Sequence, residues 1–241
     1  MMLALAISFA LLQQPAVCRD QAAPFLASAL ERGESFDLPG AAAIFFAASG
    51  QWCADAEIAG HYLRGLAAAR EAYRQGGSPD SLAAVRLAVA AIDARAHLAP
   101  ALAATARAVV LAAAAAAQSE RDEMALLIDH ATRLETVQLE AGQPPLPVVT
   151  AHEAAGDLWL QVHRYEEARR AYQQAQARVG LLPRVMLGLA RSAARLKDMA
   201  AACDQYRRLI AWWDTRSDQP PEIAEARAFI AHPACTSPPT P

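Results

Sequence analysis

The chain has 241 residues and a net charge of −3, with acids and bases interspersed through 20% charged and 54% hydrophobic sequence. That balance fits a soluble, nearly all-helical protein and excludes the basic footprint of a nucleic-acid binder. Lys197 is the single lysine beside twenty-one arginines, and no asparagine is present, which excludes N-glycosylation acceptors.

Leu3 to Leu12 is an uncharged apolar run followed by Gln13, Gln14 and Pro15. Its length suits a signal peptide and falls short of a membrane span. Ala16 and Cys18 place small residues at −3 and −1 for cleavage before Arg19, so residues 1–18 read as an export signal. The Lys or Arg that normally precedes such a run is missing, and a first buried helix of a cytoplasmic protein is the alternative. A lipid-anchored cysteine is disfavoured by the bulk of Val17 before Cys18 and by Pro15. Export implies a periplasmic or secreted protein.

Residues 19–142 read as irregular helical hairpins. Gln21 to Glu31 suits a short helix, Gly33 to Gly40 a loop, and Ala41 to Ala48 a compact apolar segment. Trp52 to Arg74 is a long helix with Ile58, Tyr62, Leu66, Ala69 and Tyr73 on one side. Ser78 then caps a helix with Pro79 at its first position, which carries Leu82, Val85, Val89 and Ile92. Ala101 to Gln118 holds the Ala112–Ala117 run, a strong helix former that lets neighbours pack close. Only twelve residues separate Arg107 from Glu120, too few to span a bilayer. Ser119, with Asp122 three residues on, reads as the cap of a further helix. That helix buries Met124, Leu127, Ile128, Ala131, Leu134 and Val137. Gln143 to Pro147 is a stiff connector and marks a boundary.

From Ala151 the apolar positions Ala151, Ala154, Ala155, Leu158, Trp159 and Val162 form one helical face. After His163 and Arg164, a second face runs Tyr165, Ala168, Tyr172, Ala175 and Val179. So short a turn makes the two helices antiparallel. Tyr165, Ala168, Tyr172 and Ala175 recur thirty-four residues later as Met199, Ala202, Tyr206 and Leu209. A fixed period in this range means stacked units that cover one another's apolar sides. Pro220 to Ala231 supplies a terminal cap, with Ile223, Ala226 and Ile230 inward, and residues 233–241 read as a disordered tail.

This pair of hairpins, over residues 149–215, resembles the tetratricopeptide repeat family. The first unit carries the family's Gly at Gly156, aromatics at Trp159 and Tyr172, and Ala at Ala168 and Ala175. It departs at His152, where the family has Trp, and its closing Pro comes late as Pro183. The second unit keeps Ala202 and Tyr206 but has Ala190 for the Gly and Ala193 for the aromatic. Gly65, Ala83, Leu87 and Ala90 suggest a degenerate earlier hairpin. The resemblance implies an all-α fold, a right-handed α-solenoid of antiparallel hairpins closed by a capping helix over residues 148–232. It also implies a non-enzymatic scaffold that binds a protein or peptide on its concave face. Carried over by position, that face holds Glu153, Asp157 and Gln161, then Arg184, Leu187, Arg191 and Arg195.

Arg184, Arg191 and Arg195 form one stripe along a helix, and arginine's fork suits carboxylates, so an acidic partner is one expectation. Internal pairing of Glu153 and Asp157 with arginines of the next helix is the other. The lysine and asparagine with which chaperone-binding family members hold a terminal carboxylate are absent. Trp212–Trp213 offers one inward ring and one more exposed.

Cys203 opens its helix and Cys235 follows the capping helix, an arrangement that allows a disulfide in an exported protein. Cys18 pairs with Cys53 only if Cys18 is retained, and two or more buried thiols in a reducing compartment are the alternative. No CxxC or paired-histidine spacing exists, so neither metal nor cofactor is expected. His152 beside Glu153, and His163 three residues from Glu166, lack a readable orienting partner or pocket. A packing role is expected for His152, and no catalysis.

Overall fold

The computed structural model describes residues 37–49, 54–143, 145–214 and 220–236. Within them the fold is all-helical: α1 (Leu38–Ser49), α2 (Ala54–Arg74), α3 (Pro79–Arg95), α4 (Pro100–Ala117), α5 (Arg121–Glu140), α6 (Ala151–Gln161), α7 (Tyr165–Val179), α8 (Pro183–Arg195), α9 (Met199–Trp213), α10 (Pro221–Ile230) and α11 (Pro233–Thr236). The export segment 1–18, the expected helix over Gln21 to Glu31 and the Cys18–Cys53 pairing lie outside the described residues.

Helices pack as neighbouring pairs: α2 on α3, α4 on α5, α6 on α7 and α8 on α9. In each pair the first helix ends the same way. Gly76, Ser119, His163 and Lys197 take positive φ of 63–66° directly after α2, α4, α6 and α8. The next N–H then reaches back five residues, as Arg164 N to Trp159 O at 2.8 Å and Asp198 N to Ala193 O at 2.9 Å. These are Schellman turns, which satisfy the orphan carbonyls of a helix end. Ser119 therefore closes α4 and does not cap α5, whose N-cap is Glu120.

The alanine run explains how α2 reaches α6. Ala112, Ala113, Ala115 and Ala116 are all buried in α4, and methyl groups there leave room for flanking helices to approach. Over this low floor Tyr62 donates to the Val149 carbonyl at 2.7 Å and Tyr73 to the Gln161 carbonyl at 2.9 Å. Helix α4 has the expected length, shifted by one residue. At eighteen residues with mean hydropathy 1.6 it has the length and composition to cross a membrane, yet 61% of it is buried inside the fold, the setting of a core helix.

The expected boundary at 143–147 is followed at once by buried side chains. Leu146, Val148 and Val149 are buried in the same core as α2, α4 and α6. Glu135 of α5 holds the junction: its carboxylate accepts Leu146 N at 3.2 Å and Ala151 N at 2.9 Å. With the Thr150 hydroxyl accepting Glu153 N, the first turn of α6 has its free N–H groups met.

Other expectations shift. Helix α1 starts at Leu38, inside the expected loop, because Asp37 Oδ1 accepts Gly40 N at 2.8 Å. Leu87 and Val137 are 73% and 63% exposed. The α3 face is built on Val85, Val89 and Ile92, as expected, with Ala88, and Leu87 takes no part in it. The expected tail is ordered at its start, as Pro233–Thr236 form α11, with Cys235 bonded to Cys203.

Candidate functional site

The ring of Tyr172 organises the site. It lies between two glycines, and a Cβ added at Gly156 of α6 or Gly188 of α8 would sit 2.6 Å or 2.2 Å from its atoms. Only hydrogen at both positions lets α6 and α8 close on one aromatic ring. The Gly188 contact is invisible in the family pattern, which looks for the second glycine two residues later, at Ala190. Tyr172 is fully buried except at its tip, where the hydroxyl donates to Asp157 Oδ1 at 2.6 Å.

Asp157 is the hub of a charged cluster drawn from three helices. Its Oδ2 accepts from Arg70 of α2 at 2.5 Å and from Arg184 of α8 at 3.3 Å. Burial alone would raise the Asp157 pKa, but Arg70 and Arg184, with the Tyr172 hydroxyl, hold it below the ordinary carboxylate value. Beneath it Glu153 is completely buried and paired with Arg184. There burial wins, and its pKa is raised although Arg184 opposes the shift. Arg184 stays firmly protonated despite its own burial, because two carboxylates face it.

One repeat further on, Arg191 of α8 makes two hydrogen bonds to Glu225 of α10, at 2.9 and 2.5 Å. Tyr206 donates to the same carboxylate at 2.8 Å. Burial would raise the Glu225 pKa, yet the bonds from Arg191 and Tyr206 bring it below the usual value.

Above these groups opens a cleft of about 400 Å³. Asp157, Gln161, Arg184, Leu187 and Arg191, all expected on the concave face, line it together with Arg70, Tyr73 and Arg74 of α2 and Glu222 of α10. Glu153 lies below its floor and Arg195 outside it. The expected basic stripe is thereby broken up. Arg184 has only 7% of its side chain exposed and is neutralised from within. Arg191 is shared with Glu225, and Arg195 is exposed with no ion-pair partner among the described residues. Sequence reading missed Arg70, Arg74 and Glu225. The first two come from a hairpin with no readable register, but Glu225 stands one period after Arg191 and was open to detection.

The histidines do not assemble a catalytic pair. His163 is exposed, with its Nδ1 3.0 Å from the Tyr165 hydroxyl, and Glu166 is turned to Arg169. His152 is 5% exposed, its ring nitrogens lack hydrogen bonds of ordinary geometry, and it lines a 240 Å³ cavity between α5 and α7. Burial, with Arg178 nearby, lowers its pKa to about 4. Among the described residues no three His, Cys, Asp or Glu side chains are grouped to hold a metal. Trp213 is fully buried and Trp212 half-buried.

Comparison of the chain with protein-family models, curated proteins and solved structures finds no match.

Proposed function

We propose that this chain is a non-enzymatic scaffold of tetratricopeptide-like hairpins whose cleft holds a peptide segment of a partner protein. The observation that carries the reading is the 400 Å³ cleft itself, framed by α2, α6, α8 and α10 and floored by a pre-built ion-pair network. Its partly exposed polar groups sit on helices whose ends and packing are fixed, which is how a rigid surface limits the ordering cost of binding. A right-handed solenoid is the arrangement that pairwise stacking and the thirty-four-residue period support. The Cys203–Cys235 disulfide, with the apolar run Leu3–Leu12, supports an oxidising, extracytoplasmic location.

Affinity capture from an envelope extract tests the cleft. An Arg74→Ala/Gln161→Ala variant, matched to wild type in thermal melting, should lose partners that wild type retains. Recovery of the same proteins by both would overturn the assignment. Export is tested separately by N-terminal sequencing of the mature protein.

A further inference from the structure

Helix α6 has a second face, about half a helical circuit away from the cleft residues Asp157 and Gln161, and it carries His152, Ala155 and Trp159. Helices α5 and α7 both pack on α6. Between them this face floors a cavity of about 240 Å³, walled by Ile128 of α5 and by Arg170, Ala171 and Gln174 of α7. Arg178 of α7 donates to the Thr136 hydroxyl of α5 at 3.2 Å and so bridges the two walls.

The cavity holds a polar group that the chain leaves unmet. His152 is 5% exposed, and neither of its ring nitrogens has a hydrogen bond of ordinary geometry. Burial, with Arg178 nearby, keeps the ring neutral at pH 7, so it offers one N–H donor and one acceptor. Buried polar side chains are nearly always hydrogen-bonded, and an exception on a cavity wall points to a polar group from outside the chain. The charges around the cavity are unevenly spent. Asp129 is taken by Arg133 and Glu167 by Arg164. Arg170 lines the cavity with no ion-pair partner among the described residues. Arg178 is bonded to a hydroxyl and not to a carboxylate. The uncommitted charge beside His152 is therefore positive, while Ile128, Ala155, Trp159 and Ala171 make the rest of the lining apolar.

We propose that this cavity binds a small monocarboxylate with an apolar, ring-sized body. The carboxylate accepts from the Arg170 guanidinium, whose fork suits both oxygens, and from the His152 N–H. The body lies on Ala155 and Trp159 between Ile128 and Ala171. Ligand pockets for drug-sized molecules run from about 300 to 1,000 Å³, so a cavity of 240 Å³ takes something smaller. The site lies apart from the cleft and stands whether or not the cleft takes a peptide.

Calorimetric titration of the full chain with three probes of similar size tests the site: benzoate, benzamide and benzylammonium. Benzoate should bind at least tenfold more tightly than benzamide, benzylammonium should not bind measurably, and added salt should weaken the benzoate complex. In NMR spectra the His152 ring signals should move to saturation with benzoate while those of exposed His163 stay in place. Arg170→Gln, a change at an exposed residue, should lower benzoate affinity about tenfold, to the level of benzamide, and leave benzamide unaffected. His152→Phe, checked by thermal melting, should fill the space and abolish binding of both. Equal binding of benzamide, or a preference for benzylammonium, would overturn the carboxylate assignment. If no probe gives a saturable shift of the His152 ring, the cavity takes water only and the site is overturned.

Discussion

Arg191 and Glu225 face each other thirty-four residues apart, and their pairing ties α10 to α8. Helix α10 thus packs on α9 and is held to α8 through this pair. Ile223 and Ala226 bury themselves against Met186, Leu187, Tyr206 and Leu209. The pair is half-exposed, so its coupling is modest. A double-mutant cycle with Arg191→Ala and Glu225→Ala should give about 0.5–1 kcal/mol, screened by salt. Urea titration at two ionic strengths measures it, and a coupling of zero in low salt would contradict the tie.

The Arg184–Glu153 pair is a different case because both partners are buried. Removing Arg184 alone leaves Glu153 at 0% exposure with no guanidinium. Arg184→Ala should therefore cost about 3–5 kcal/mol. Replacing both partners with apolar residues of like volume, Arg184→Met with Glu153→Leu, should cost clearly less than the single change. Chemical denaturation of the two variants decides this. A double variant no better than the single would mean that packing, not an uncompensated charge, sets the cost.

Gly188→Ala pits two effects against each other. Alanine gains roughly 1 kcal/mol of helix propensity over glycine. Its methyl, however, would stand 2.2 Å from the Tyr172 ring, which is held by Gly156 on its other side and by Asp157 at its hydroxyl. Overpacking of this kind costs about 1–3 kcal/mol, and a contact this close takes the upper part of that range, which outweighs the propensity gain. The variant should melt several degrees below wild type, and the Tyr172→Phe background should not rescue it, since the clash is with the ring.

The helical class, the two C-terminal hairpins and their period could be read from the sequence because α6 to α9 carry regular apolar faces. So could five residues of the cleft, which the family resemblance carries over by position onto α6 and α8. The α2 wall could not. Arg70 meets Asp157 of α6, and Arg74 borders the cleft, because α4 is built of alanines, and no local pattern encodes an encounter eighty-seven residues apart. The shared turn was hidden for another reason. Ser119, His163 and Lys197 take a left-handed backbone that sequence signals assign to glycine or asparagine.

Acid should weaken the fold through His152. Its pKa lies near 4 in the folded chain against an ordinary value of 6.5, so the folded state binds fewer protons between those limits. Stability is fully present above about pH 6.5 and declines as pH falls towards 4, by up to about 3 kcal/mol. Glu153 and Glu135 act in the opposite sense, because burial raises their pKa values and protonation relieves that burden. The His152 contribution is isolated by difference. His152→Gln should flatten the stability profile between pH 6.5 and 4 relative to wild type, whatever its effect at pH 7. Parallel profiles would show that the imidazole does not titrate in its buried place.

The Cys203–Cys235 bond should account for much of the hold on α10 and α11. Both sulfur-bearing residues are buried, at 2% and 5% exposure, and Arg207 donates to the Cys235 carbonyl beside the bond. The bridge closes a loop spanning 32 residues of sequence, for which unfolded-state entropy predicts about 3–4 kcal/mol. A Cys203→Ser/Cys235→Ser variant should lose most of that amount in denaturant titration under non-reducing conditions. Hydrogen exchange should locate the loss. Amides of α10 and α11 should exchange much faster while those of α6 and α7 stay protected, because their cores lie around Tyr172 and α4 rather than at the cap. Equal acceleration in all four helices would mean that the bridge stabilises the whole row and not its end.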